Sequence, residues 1–377
     1  MMQQTKGGGR IVADEFYMKR ALRLALKGEA WVSPNPMVGA VIVKKDRIIG
    51  EGYHQKFGGN HAEINAINHA TEPIKGATIY VNLEPCMHYG KTPPCIKSIT
   101  AAKPARVVIG TPDPNPMVAG KGIEALKRNG IKTKVGVLEE SCKELNERFF
   151  KFMQTGIPFV TLKFAQSIDG RIATASGHSR WISSEQSLAF AHALRSHHDA
   201  VLIGSGTVLK DDPELTVRLI KGRNPLRVVV DSHLRISPDA RILKDQDKAK
   251  TIVATTIHAS RDKRAQLTDL GIEVMTVDTD KDRRVDLTRL LFELGKRNIS
   301  SVLVEGGAAI ITSMLMEQLS DRVVIIIAPK IVGKGIEAVG NLGTKSIDES
   351  PLLHYKKIRR LGNDLIIDGR IKKNGSS

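Results

Sequence analysis

Thr78-Ile79-Tyr80-Val81-Asn82-Leu83-Glu84-Pro85-Cys86 passes from an apolar strand signal directly into a proline–cysteine pair. Upstream, 38–43 reads as a buried strand and 47–53 as its hairpin partner, and 61–70 reads as a helix opened by His61-Ala62-Glu63. Downstream, Cys95 stands before a helix over 96–102, followed by a strand at 106–109, a helix at 122–129 and a strand at 132–137. This alternation predicts an α/β domain, a sheet with helices on its faces. A first helix is expected over 16–28, where Met18, Ala21, Leu22, Ala25 and Leu26 share a stripe, and Ser33-Pro34-Asn35-Pro36 cannot continue it. A long helix over 139–152 closes the half, and Gly156-Ile157-Pro158 ends it. The domains are therefore expected at 1–155 and 156–377.

With 377 residues the chain has room for two domains, each with its own core. Apolar residues make up 41% and charged residues 26%, which excludes fibrous and wholly disordered classes. No apolar run is long enough for a spanning helix, and the polar, glycine-rich start lacks a signal-peptide core, so a cytoplasmic location is expected. The net charge of +17 reads either as generic surface charge or as an attraction for phosphates. Basic residues are scattered and aromatics reach only 4%, too few for base-stacking platforms, so no nucleic-acid or membrane partner is expected. Three cysteines argue against a disulfide framework; Cys142, on the closing helix, reads as core.

His61, Cys86 and Cys95 offer one imidazole and two thiolates, a three-ligand set for Zn²⁺ that leaves a fourth position for water. Glu63 stands at the start of the same helix as His61, close enough to serve as proton carrier without ligating. A structural zinc would want a fourth Cys or His, and none is obvious. The His-x-Glu and Pro-Cys pattern resembles that of the zinc nucleobase deaminases.

The resemblance becomes specific in Ser33-Pro34-Asn35-Pro36-Met37-Val38-Gly39, Gly52-Tyr53-His54, the eight residues between Cys86 and Cys95, and Asp113-Pro114-Asn115-Pro116. Together these resemble the bifunctional riboflavin-biosynthesis deaminase–reductases. The resemblance implies a cytidine-deaminase-like zinc domain and a substrate in which a diaminopyrimidinone carries a phosphoribosylamino group. It implies substrate contacts at Asn35, His54, His88 and Lys91. The chain departs from the family at Asn60 and Met87, neither a ligand position.

In the second half, strands are expected at 159–164, 200–203, 227–231, 251–254, 273–277, 301–304 and 322–327, with helices between most of them. No Gly-x-Gly-x-x-Gly fingerprint follows a strand. Two glycine turns do: Gly204-Ser205-Gly206-Thr207 and Glu305-Gly306-Gly307. The stretches 162–173, 179–183 and 206–218 resemble the reductase half of the same family. The resemblance implies a dihydrofolate-reductase-like domain that uses NADPH to reduce a ribosyl group to ribityl. Its substrate positions are Lys163, Ser179, Arg195, Leu215, Arg218 and Glu305, and its cofactor positions Ala165, Trp181, Thr207, Asp211, Ser232 and Gly307 with the helix start after it. Arg195 and Arg218 suit a phosphate monoester. Trp181 suits either a nicotinamide face or a core, and the roles of Lys163 and Asp211 stay open.

The chain thus reads as a two-domain enzyme, expected to be a homo-oligomer. A tRNA-editing zinc deaminase shares the zinc motif and would use the positive charge, but the long Cys–Cys gap and the second half count against it. Glu63 and the open metal position count against a non-catalytic zinc protein.

Overall fold

The computed structural model describes residues 8–87, 93–116 and 118–371. It divides into two compact units, Met1–Gly156 and Ile157–Ser377. The first contains α1 (Gly8–Ala25), β1 (Gly39–Lys44), β2 (Arg47–Tyr53), α2 (Ala62–Asn68), β3 (Thr78–Leu83), α3 (Cys95–Ala102), β4 (Arg106–Thr111), α4 (Lys121–Arg128), β5 (Lys132–Val135), α5 (Glu139–Leu145) and α6 (Glu147–Thr155). The strands form one sheet in the order β2-β1-β3-β4-β5. β1 runs antiparallel to β2 and β3, and β3, β4 and β5 are parallel.

Both faces of the sheet are covered, so its central strands are apolar at nearly every position. Ala40, Ile42, Ile79, Val81, Val107 and Ile109 pack under α2, α3 and α4. Val41, Val43, Tyr80 and Val108 alternate to the other face, against Met18, Ala21 and Leu24 of α1 and Cys142 of α5. Two glycines permit the closest approaches. A Cβ on Gly39 would lie 2.1 Å from Ala21 O, and one on Gly52 2.3 Å from Ala66 N. The second approach seats α2, and with it His61 and Glu63, on the sheet.

Helix α1 starts earlier than the apolar stripe predicts. Asp14 lies on its buried face, and its carboxylate accepts from Arg106 (2.9 and 2.7 Å), Lys134 (2.8 Å) and Tyr80 Oη (3.0 Å). A buried charge satisfied by residues far along the chain interrupts a stripe counted in apolar residues. The helix expected over 139–152 is broken at Asn146, whose φ is −107°. Its side chain is committed elsewhere: Oδ1 accepts from Met37 N (2.8 Å) and Nδ2 donates to Met37 O (2.9 Å). Asn82 also donates to Met37 O and accepts from Gly39 N. Two asparagines thereby fix the loop that presents Asn35.

The second unit contains β6 (Phe159–Ser167), β7 (Arg171–Thr174), α7 (Glu185–Ser196), β8 (Ala200–Gly204), α8 (Ser205–Asp211), β9 (Leu226–Val230), β10 (Thr251–Thr255), α9 (Arg261–Asp269), β11 (Glu273–Thr276), α10 (Leu287–Lys296), β12 (Ser301–Val304), α11 (Ala308–Met316), β13 (Arg322–Ala328), β14 (Gly335–Glu337), β15 (Leu353–Leu361) and β16 (Asp364–Ile371). Its main sheet runs β11-β10-β9-β8-β12-β6-β13-β16-β15, parallel from β11 to β13 and closed by the antiparallel pair β16-β15. β7 and β14 form a small separate ribbon. From β8 the chain proceeds outward to β9, whereas from β12 it crosses to β13 on the far side of β6. Helices α8 and α11 accordingly lie on opposite faces, Val208 in one core cluster and Ile310, Ile311 and Met314 in the other. This divergence leaves a crevice at the carboxyl ends of β8 and β12.

Candidate active sites

In the first unit the carboxyl end of β3 delivers Cys86, and the starts of α2 and α3 deliver His61 and Cys95. His61 Nδ1 lies 3.5 Å from Cys86 Sγ and 3.2 Å from Cys95 Sγ. All three ligand atoms fall within 4.8 Å of one another, and among the described residues no other His, Cys, Asp or Glu joins the group. The set fits zinc: three borderline-soft donors, mostly buried, with no fourth protein ligand. Hydrogen bonds from Cys95 and His61 hold the Cys86 thiol well below its usual range, against the effect of burial. Glu63 is buried beside them. Burial first, then the Cys86 charge, pushes its carboxyl up to about 7, while Cys95 donates to it.

His54 stands at the end of β2 with its ring edge-on to His61, centroids 5.4 Å apart. Its Nδ1 donates to Asn60 O (3.0 Å), and its Nε2 accepts from Asn35 Nδ2 (3.1 Å), a pairing that requires the neutral ring. Burial lowers its pKa. Asn35, His54, His61, Glu63, Cys86 and Cys95 thus gather in one place, while His88 and Lys91 lie outside the described residues.

One residue the sequence reading passed over supports this centre. Glu84 is buried, and its carboxylate accepts from four backbone N–H groups: Gly122 (2.8 Å) and Ile123 (3.2 Å) on Oε1, Asp113 (3.1 Å) and Gly120 (3.0 Å) on Oε2. It ties the loop 113–120 and the start of α4 to the cysteine loop. Its place directly before Pro85-Cys86 was the available signal.

In the second unit Lys163 from β6, Arg195 from α7 and Glu305 after β12 meet. Arg195 donates to Glu305 through Nε (2.5 Å) and Nη2 (3.0 Å), and Lys163 Nζ lies 3.4 Å from Glu305 Oε2. Burial would raise the Glu305 pKa, but the Arg195 and Lys163 charges outweigh it and hold it at about 2. Arg195 Nη1 also donates to Thr216 O (3.3 Å). Arg218 is more exposed and pairs with Glu214 (2.5 Å). Leu215 is buried with φ +54°.

The loop 214–218 is held by side chains that the sequence reading missed. Arg227 Nη1 donates to Glu214 O (3.3 Å), Asn224 Oδ1 accepts from Val217 N (2.7 Å), and His192 Nδ1 accepts from Arg218 N (2.9 Å). Burial, then Arg195 and Arg218, lower the His192 pKa to about 4, so the ring is neutral. The signal for His192 was its spacing, one helical turn before Arg195.

The two glycine turns abut: Gly307 N donates to Thr207 Oγ1 (3.1 Å). A Cβ on Gly206 would meet nothing within 4 Å, so the turn's backbone is open to a ligand. The crevice suits a dinucleotide. Ala165 shares a face of β6 with Lys163. Ser232 follows β9 and accepts from Val285 N (3.0 Å). Trp181 is largely exposed, and its neighbour Arg180 donates through Nη2 to Asp211 O (2.8 Å). Ser179 is half-buried in the same segment.

The profile described as the cytidine and deoxycytidylate deaminase zinc-binding region matches residues 12–111, and that of the RibD C-terminal domain matches residues 158–367. The riboflavin biosynthesis protein RibD of Aquifex aeolicus is 45% identical over 94% of this chain and 97% of its own, and that of Escherichia coli K12 is 41% identical over 94% and 98%. A solved Acinetobacter baumannii RibD superposes with a TM-score of 0.86 at 36% identity, covering 96% of this chain and 100% of its own. The solved Thermotoga maritima diaminohydroxyphosphoribosylaminopyrimidine deaminase/5-amino-6-(5-phosphoribosylamino)uracil reductase superposes with a TM-score of 0.85 at 38% identity, covering 96% of this chain and 100% of its own. A zinc deaminase domain followed by a dihydrofolate-reductase-like domain defines a bifunctional deaminase–reductase, whose cofactors are zinc and NADPH. The chain belongs to the RibD family of riboflavin-biosynthesis enzymes. The tRNA-editing alternative is not favoured. Among the described residues no helix is long and apolar enough to cross a membrane.

Proposed function

We propose that residues 1–155 deaminate a diaminopyrimidinone bearing a phosphoribosylamino group, and that residues 156–377 then reduce its ribosyl group to ribityl. The activities named for the Thermotoga relative support this substrate. The observation that carries the reading is Glu63 buried against the His61–Cys86–Cys95 group. Those three residues would hold zinc, which when bound would supply the Lewis acidity that acidifies a water. Glu63 takes the proton and passes it to the departing ring amine, which leaves as ammonia while oxygen from water replaces it. Asn35, its Nδ2 committed to His54, keeps Oδ1 to accept from the ring.

In the second step NADPH supplies the hydride. Lys163, paired with Glu305, donates the proton taken up as the sugar opens. Arg218 meets the substrate phosphate, and Arg195 holds Glu305 and Thr216 in place. Leu215 and Ser179 complete the substrate side. Ala165, Trp181, Thr207, Asp211, Ser232 and Gly307 form the cofactor side.

The reading includes a cytoplasmic setting, which three free cysteines suit. It also includes self-association, supported by the exposed Tyr355 and Ile358 on the edge strand β15, and no nucleic-acid or membrane partner. Ammonia release and NADPH oxidation, followed separately, test the scheme. Glu63→Gln should slow ammonia release about 10²–10⁴-fold while retaining zinc, and should oxidise NADPH normally when given the deaminated uracil. Near-normal ammonia release would place the proton carrier elsewhere.

A further inference from the structure

We propose that Arg235 reads the 2′-phosphate of the reduced cofactor and so sets the preference for NADPH over NADH. The proposal rests on the reading of the β8/β12 crevice as the cofactor site. Strand order gives the cofactor a direction there. The residues assigned to substrate, Lys163 and Glu305, stand on β6 and just after β12, on one side of β8. The nicotinamide must face them, so the adenosine end lies on the other side of β8, over the carboxyl end of β9. From β6 to β9 is three strand spacings, about 14 Å, within the reach of an extended dinucleotide.

Strand β9 is followed by Asp231 and Ser232. In dinucleotide folds an acid at such a strand end accepts from the ribose 2′-hydroxyl of NAD, while a nearby arginine accommodates the extra phosphate of NADP. Asp231 is wholly buried, and its Oδ2 accepts from Ile236 N (2.9 Å), so this acid is turned inward. The group presented to solvent is Arg235, its side chain 59% exposed, with Nε 3.9 Å from Asp231 Oδ1. Arg235 Nη2 donates to Ser205 Oγ (2.9 Å), which bridges the turn after β9 to the glycine turn after β8. The parallel register Gly204↔Val230 sets those two turns side by side. Among the described residues Arg235 makes no other hydrogen bond or ion pair, and most of its five N–H donors remain for a phosphate. A guanidinium fork matches a phosphate monoester in shape and charge.

The test uses the full-length enzyme. Reductase kinetics with NADPH and NADH are paired with calorimetry of adenosine 2′,5′-bisphosphate and 5′-AMP. Arg235→Ala should raise the KM for NADPH about 10- to 100-fold, leave kcat at saturating NADPH and all NADH constants unchanged, and bring the affinity for the bisphosphate down to that for 5′-AMP. Arg235→Lys should recover part of the discrimination, and deamination should not change. An equal loss with both cofactors would make Arg235 merely structural and overturn the proposal, as would unaltered discrimination. Gly206→Val separates the two levels of inference. If it weakens both cofactors while Arg235→Ala leaves discrimination intact, only the assignment of Arg235 fails. If it affects neither cofactor, the crevice is not the cofactor site and both readings fall.

Discussion

Replacing Glu84 by glutamine removes one oxygen from a side chain that now serves four backbone donors. A single amide oxygen can keep one pair, Gly122 and Ile123 or Asp113 and Gly120. The amide NH₂ then faces the other pair, donor against donor. A hydrogen bond to a charged group contributes about 1.5–3 kcal/mol, so two lost bonds amount to about 3–6 kcal/mol. Asp113 and Gly120 are half-buried and their amides can turn to water, which favours the lower end, about 3 kcal/mol. For a unit of this size that lowers the melting temperature by about 6–12 °C. The assay is thermal unfolding of the full chain with zinc release followed by a chromogenic chelator. Zinc should leave Glu84→Gln at a lower temperature than wild type, and deamination should weaken, because Cys86 lies two residues beyond. Reduction of the deaminated substrate serves as the reference and should hold. Gly122→Ala should act similarly, since its Cβ would lie 2.2 Å from Pro85 O. A Glu84→Gln enzyme that releases zinc and unfolds with wild type would refute the reasoning.

Asp14→Asn should cost the first unit about 3 kcal/mol at neutral pH, because it strands Arg106 and Lys134. Burial alone would raise the Asp14 pKa, but the hydrogen bonds from Arg106 and Lys134 prevail and hold it below its ordinary 3.8. Its contribution is therefore present above that value and fades as pH falls through the lower folded value. Urea unfolding at pH 7 and pH 3 should show a gap between wild type and variant that narrows in acid, and a constant gap would contradict the ion-pair account. Arg227→Met removes the donors to Glu214, Lys244 and Ala249 carbonyls and should raise the KM for the reductase substrate about tenfold. The KM for NADPH should not move; a parallel rise in both would mean general damage. Cys86→Ala should lose zinc by metal analysis, and full retention would remove Cys86 from the ligand set.

The sequence reading reached the parts of the molecule that are local. Strands β1, β3 and β4 are buried on both faces, so each carries a short continuous apolar run, at 40–43, 79–81 and 107–109. The zinc set was readable because its chemistry is rare and its members sit at strand ends and helix starts. What escaped is what depends on distant partners. The break at Asn146 follows from two bonds to Met37, and the early start of α1 from the pairing of Asp14 with β4 and β5. Strand β15, Leu353-His354-Tyr355-Lys356-Lys357-Ile358-Arg359-Arg360-Leu361, carries too much charge to look like a strand. It lies at a sheet edge with most of its side chains exposed, so burial imposes no apolar run on it. His192, Asn224 and Arg227 were invisible for the same reason, since each acts on the backbone of a loop it meets only after folding.

The place of β6 in its sheet has a consequence for how the protein is made. β6 opens the second unit, yet it lies between β12 and β13, whose pairings involve residues 301–304 and 322–328. A nascent chain that has emerged only to the end of α6 already holds every strand of the first sheet. A chain halfway through the second unit instead carries a central strand with both edges unpaired. Such late-closing contacts slow folding and expose strand edges to other chains. Aggregation during synthesis should therefore fall on the second half of the polypeptide, and substitutions that weaken β12 or β13 should lower soluble yield more than their effect on the finished enzyme's stability would suggest.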